Sequence, residues 1–177
     1  MALIPADWMP DCDMTYITVH WTAGGYEVTE TDREHYHIIV DGNGKLVRGN
    51  FSILANVSTS DADGYAAHTS QFNTRNIGIS AACMANAIES PFDAGAYPLR
   101  RGQWLVVAQV AAELCARYQI EVLPTTVMQH GEVQMNMGVP QSGKWDICKL
   151  PWLPEASFDQ VTDAFRAHVS RYLAQGV

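Results

Sequence analysis

The chain has 177 residues, 47% of them hydrophobic and 17% charged, with a formal charge of −8. That length suits one domain able to bury a proper core. The acidic balance argues against a nucleic-acid partner, because no basic stripe is available to displace counterions, and against adhesion to anionic lipid. The apolar runs are too short to span a bilayer, so membrane insertion is not expected.

The first seven residues, Met1 to Asp7, show no basic n-region and no sustained apolar segment, so no secretory leader is expected. Cys12, Cys83, Cys115 and Cys148 are widely spaced without a CxxC pair. They read as reduced thiols of a protein made in the cytoplasm rather than a disulfide framework.

No repeat or low-complexity linker divides the chain, so a single domain over 1–177, with its core at about 14–174, is expected. Residues through Pro10 read as an irregular arm. Met14 to Trp21 is rich in β-branched and aromatic residues and reads as a strand, ended by Thr22-Ala23-Gly24-Gly25. His20 therefore falls where a strand meets a loop, a common place for functional side chains. Glu27 to Glu34 reads as a short helix or a covering loop. Tyr36 to Val40 and Lys45 to Arg48 flank Asp41-Gly42-Asn43-Gly44, a β-hairpin signal. Because side chains alternate along a strand, Tyr36 and His37 should face opposite ways.

Phe51 to Tyr65 is irregular, with a loop composition at 58–64. Asn76 to Ala82 reads as a buried strand, in which Gly78 marks a close backbone approach. Pro91, Gly95 and Pro98 make residues 84–100 a long surface loop. Gln103 to Tyr118 is a helix with its apolar stripe on Trp104, Val107, Ala108, Ala111, Leu114, Cys115 and Tyr118. Thr125 to Gln129 reads as a strand delivering His130. A last helix runs from Ser157 to Ala174, opened by a capping box of Ser157 and Gln160, with Phe158, Val161, Phe165, Val169 and Tyr172 inward. The fold class is α/β, a central mixed β-sheet flanked by helices.

The chemistry concentrates in two stretches, Val19-His20-Trp21 and Gln129-His130-Gly131-Glu132, followed by Gly143-Lys144-Trp145-Asp146. Hydrolytic zinc takes three protein ligands and leaves a fourth position for water. His20, His130 and Asp146 could supply that set. Lys144 would stand beside it as a fixed cation able to bond an oxyanion, with Tyr36 as a second donor. Cys148 is an equally good third ligand by type. Spacing does not choose between Asp146 and Cys148, and a strand-end histidine or a Lys-x-Asp loop also occurs for purely structural reasons.

Several blocks, in order, resemble the zinc-dependent N-acetylmuramoyl-L-alanine amidases of the peptidoglycan-recognition-protein and phage T7-type lysozyme superfamily. Residues 17–24 (Ile-Thr-Val-His-Trp-Thr-Ala-Gly) are similar to the block whose histidine binds zinc. Tyr36-His37-Ile38-Ile39 with Asp41-Gly42-Asn43-Gly44 and Arg48-Gly49 resemble a tyrosine-bearing hairpin. Residues 67–80, from Ala67-His68-Thr69 through Phe72-Asn73 to Asn76-Ile77-Gly78-Ile79-Ser80, form the most recognisable block. His130-Gly131-Glu132-Val133 resembles the block of the second zinc histidine.

The resemblance covers about Thr15 to Pro151. It implies zinc on His20, His130 and Asp146, with Lys144 two positions earlier as a catalytic lysine and Tyr36 as the active-site tyrosine. It leaves Cys148 as the alternative metal ligand, because Ile147-Cys148-Lys149 departs from the frequent Asp-Pro-Gly continuation. His68 would face the substrate, with Trp21 and Trp145 as walls. Glu132 would be an outer partner or structural, Asn73 and Asn76 loop anchors, His35 a hairpin flank and His168 a helix-surface residue. The implied activity is hydrolysis of the amide between the lactyl group of N-acetylmuramic acid and L-alanine, on peptidoglycan or muropeptides. A monomeric phage or prophage endolysin, reaching the wall after holin-type release, is expected. A cytosolic muropeptide-recycling amidase and a non-catalytic peptidoglycan receptor are the alternatives.

Overall fold

Tyr16–Trp21 (β1) is buried along nearly its whole length. Such a two-sided apolar run belongs inside a parallel sheet, where both faces are covered. In the computed structural model, which describes residues 2–60 and 63–177, β1 lies between two parallel neighbours. These are Asn76–Ala81 (β4) and Val127–Gln129 (β5). Ile38–Val40 (β2) pairs parallel with β4 and antiparallel with Leu46–Arg48 (β3), giving the order β3-β2-β4-β1-β5 in one mixed sheet. Asp61 and Ala62, from the irregular stretch at 58–64, lie outside the described residues.

Side-chain alternation sorts the two faces of this sheet. Ile17, Val19, Ile38, Val40, Ile77, Ile79 and Val127 join the main apolar cluster. Their neighbours in sequence, Thr18, His20, Gly78, Ser80 and Met128, are buried outside that cluster. The apolar face is covered by Arg101–Tyr118 (α2) and Phe158–Ala174 (α4), which meet through Trp104 and Phe165, rings 5.0 Å apart. Of the expected stripe on α2, all but Tyr118 are buried. Burial extends further round this helix because the N-terminal arm lies against it. Glu113 accepts hydrogen bonds from the Leu3 and Ile4 amides at 2.7 and 2.9 Å. Ser157 caps α4 reciprocally with Gln160, the two groups satisfying each other's exposed amides.

The segment before β2 differs from the expected strand. Glu30–His35 (α1) is a short helix, opened by a capping box in which Thr29 and Asp32 bond each other's backbone amides. Tyr36 is the residue that ends it, so the strand begins only at Ile38. The turn between β2 and β3 is closed by Asp41, whose Oδ1 accepts from the Asn43 and Lys45 amides, while Gly44 takes a φ of 84°. Residues 84–100 form no regular element, as expected, although Met84 and Leu99 inside that stretch are buried. Among the described residues no helix is long and apolar enough to cross a membrane.

Candidate metal centre

Strands β1, β4 and β5 run parallel, so their carboxyl ends share one edge of the sheet, the usual location of ligand sites in such folds. The register pairs Val19 with Gln129. One residue further on, His20 and His130 stand side by side, projecting to the same face with rings 4.5 Å apart. A short 3-10 turn, His130–Glu132, begins at that point and leads into Val133–Met137 (α3). The loop after α3 then brings back Asp146.

Asp146 is held by its own backbone, whose carbonyl accepts from the Gly131 amide at 2.8 Å. Its Oδ2 lies 3.1 Å from His20 Nδ1 and 3.3 Å from His130 Nδ1. One donor atom from each residue falls within 4.8 Å of the other two, and all three residues are buried. Cys148 is buried as well but does not join this group. Two imidazole nitrogens and one carboxylate oxygen, converging out of bulk water, form a donor set suited to zinc with its fourth position open.

Electrostatics agree with that use. Burial, then the neighbouring His130 and Lys144, lower the His20 pKa to about 4 against the pull of Asp146, so the ring is neutral at pH 7. Burial alone would raise the Asp146 carboxyl, but His130 and His20 beside it outweigh burial and hold it well below the usual carboxylate range. A neutral ring and an ionised carboxylate are the states that bind a metal.

His130 and Asp146 line a cleft of about 740 Å³ together with Trp21, Tyr36, His68, Lys144 and Trp145, and His20 stands behind them with its ring 4.5 Å from that of His130. The sequence-derived candidates other than Cys148 thus meet at one place. Lys144 is exposed at the cleft wall, in the turn where its amide donates to the Gln141 carbonyl. Tyr36 packs 5.1 Å from the His20 ring. Burial first, then the charges of Asp146 and Asp32, raise its hydroxyl above the ordinary phenol range, so it remains an O–H donor. Trp21 and Trp145 meet edge to face at 4.6 Å, and Phe92 backs Trp145.

His68 has two roles at once. It lines the cleft, and its ring lies directly over Gly78, where a Cβ would approach within 2.4 Å. Its Nδ1 is 3.2 Å from His20 Nε2 and 2.8 Å from Thr69 Oγ1, while its Nε2 is 3.2 Å from the Asn76 carbonyl oxygen. Asn73 anchors the loop by accepting from the His68 and Thr69 amides. Asn76 donates to Thr18 and to the Phe72 carbonyl. His37 points away from the cleft, accepting from the Gly78 amide and bonding Asn56.

Three residues differ from, or add to, the reading of the sequence. Glu132 does not contact the His130 ring. It caps the Gln129 amide and pairs with Arg166 of α4 at 2.7 Å, which makes it a structural tie. The outer partner of His130 is Gln141, whose Oε1 lies 2.9 Å from Nε2. A lone glutamine in a loop carries no pattern that would have marked it. His35, expected only to flank the hairpin, ends α1 and lines the cleft.

Comparison with known proteins agrees with this architecture. Residues 10–149, most of the chain, match the N-acetylmuramoyl-L-alanine amidase family. The chain belongs to that family and is an enzyme of that class. Comparison with curated protein sequences gives no match.

Among solved structures, it resembles the AmiA hydrolase of Staphylococcus aureus, solved with its ligand, at 16% identity and TM-score 0.56. That match covers 92% of this chain and 75% of AmiA. It also resembles the endolysin of the Thermus scotoductus bacteriophage Ph2119, at 15% identity and TM-score 0.51, over 93% of this chain and 88% of the other. The amidase LysC of Clostridium intestinale matches at 14% identity and TM-score 0.50, covering 89% and 86%. At these identities the likeness is one of fold.

Proposed function

We propose that the chain hydrolyses the amide joining the lactyl carbonyl of N-acetylmuramic acid to L-alanine of the peptidoglycan stem, with zinc held by His20, His130 and Asp146. The observation that carries this reading is the convergence of His20 Nδ1, His130 Nδ1 and Asp146 Oδ2 beside an open cleft. When bound there, zinc supplies a water of lowered pKa and an electrophile for the carbonyl.

The chain's own groups supply the rest. Lys144 neutralises and hydrogen-bonds the oxyanion as it develops on the lactyl oxygen. Tyr36, kept protonated by its surroundings and packed 5.1 Å from the His20 ring, is a second hydrogen-bond donor beside the reacting carbonyl. Trp21, Trp145 and His68 bound the space in which the sugar and the first stem residue lie. The proton that the attacking water gives up as the C–O bond forms ends on the departing L-alanine nitrogen as the C–N bond breaks.

The fold shared with a phage endolysin supports a role as a phage or prophage endolysin acting on the wall. The test is mass spectrometry of products released from intact sacculi and from soluble muropeptides, with and without chelator. Free L-alanine amino termini from sacculi, lost with chelator and restored by zinc, are expected. Cleavage of soluble muropeptides alone would move the role to recycling. Zinc binding without any cleavage would make the chain a receptor.

A further inference from the structure

Gln141 is buried and takes no part in the chemistry above, yet all of its hydrogen-bonding atoms are engaged. Its amide nitrogen Nε2 donates to the Ser70 carbonyl at 3.0 Å and to the Val139 carbonyl at 3.4 Å. Its backbone amide donates to Gln134 Oε1 at 3.0 Å. Carbonyl oxygens only accept, so the NH₂ end of the side chain must face Ser70 and Val139. That turns Oε1 towards His130 Nε2, 2.9 Å away.

We propose that Gln141 is a positioning residue that dictates which nitrogen of His130 is free to bind metal. Two acceptors face the ring, Gln141 Oε1 at 2.9 Å from Nε2 and Asp146 Oδ2 at 3.3 Å from Nδ1, and the shorter contact holds the single proton at Nε2. A neutral imidazole carries one proton, so Nδ1 is left bare, 3.3 Å from Asp146 Oδ2. The same logic runs through His20 by another route. The Asn76 carbonyl accepts a hydrogen bond from His68 Nε2–H, so His68 Nδ1 accepts in turn, and His20 Nε2 donates to it. Each chain of bonds ends on a main-chain carbonyl, which cannot reverse its polarity. The Gln141 carbonyl also accepts from the Lys144 amide, so one residue sets both a ligand's tautomer and the turn that carries the lysine.

This inference rests on reading the His-His-Asp group as a zinc site, and its test separates the two. Long-range proton–nitrogen spectra of the metal-free wild type, at roughly pH 8 where an ordinary histidine is neutral, read the tautomer directly. His130 protonated at Nε2 and bare at Nδ1 is expected; the reverse overturns the proposal. Zinc affinity is then measured by chelator competition. Gln141→Leu, which keeps bulk without an acceptor, should weaken zinc by about ten- to hundred-fold.

Wild-type affinity in Gln141→Leu also overturns the proposal. If Gln141→Leu fails to fold, the wild-type spectrum still decides. A wild type that binds no zinc would defeat the metal reading alone, while the spectrum still tests Gln141.

Discussion

Gly131 lacks a side chain in the space that Cys148 fills: a Cβ there would lie 2.4 Å from Cys148 Sγ. The Gly131 amide, at the same point, donates to the Asp146 carbonyl. The His-Gly pair after β5 is therefore what lets the Asp146 loop dock close enough for its carboxylate to reach both histidines. Gly131→Ala should push this loop outward, costing about 1–3 kcal/mol from overpacking. It should also lower zinc content, read by metal analysis beside a thermal melt. Gly102, exposed in the first turn of α2, is the matched control, because a Cβ added there would meet nothing within 4 Å. Gly102→Ala should stabilise by about 0.4–1 kcal/mol and leave zinc unchanged. Equal behaviour of the two variants would remove the docking argument.

Lys144 and Asp146 are two residues apart and should fail in different ways. Lys144 is exposed and contributes to none of the three converging donor atoms. Lys144→Ala should keep zinc and fold while kcat falls by about 10²–10³-fold, as when an oxyanion donor is removed. Asp146→Ala leaves the two imidazoles without their anionic partner, so zinc and activity should go together. Full zinc and near-normal muropeptide cleavage in Asp146→Ala would take Asp146 out of the site and bring Cys148 into it.

The longer regular elements were legible in the sequence. The runs that became β1 and β4 are buried on both faces, as their β-branched and apolar composition indicates, and α2 and the middle of α4 bury the stripe their spacing indicates. Tyr36 was not legible as the end of a helix. Six residues are too few for an apolar stripe, although the Thr29 and Asp32 capping box was a readable signal. His20, His130 and Asp146 could be named from resemblance, but their meeting depends on a register between parallel strands far apart in sequence. Gln141 and Asn56 were invisible for another reason. A single buried amide acts through its orientation, and nothing local in the chain encodes that.

His37 gives the fold a dependence on acid that is separate from catalysis. Its ring is buried against Asn56 and Gly78, and burial lowers its pKa from the ordinary 6.5 to about 4. The unfolded chain therefore takes up this proton first as the pH falls, and the native state is penalised. The contribution is fully present above about pH 6.5 and lost progressively down to about pH 4. His20 and His68, also lowered by burial, act with the same sign. Urea unfolding of metal-free protein across this range should show stability falling with acid. His37→Gln should flatten the slope while lowering the neutral plateau. Identical slopes in the two proteins would show that His37 does not titrate in this way.

The four free thiols offer an independent check on the third ligand. Cys12 is half-exposed, whereas Cys83, Cys115 and Cys148 are buried. Burial raises all of them above the ordinary thiol range, Cys115 to about 12, and at Cys148 the charges of Asp146 and Glu132 add to the effect. Reactivity follows the thiolate fraction and access, so only Cys12 should react with a disulfide reagent in the native protein, and slowly. Denaturant should expose all four. The informative comparison is native protein with and without chelator. If Asp146 completes the metal set, Cys148 stays packed behind Gly131 either way and the native count is unchanged. A second thiol that becomes reactive only when metal is removed would mean that Cys148 had been holding it.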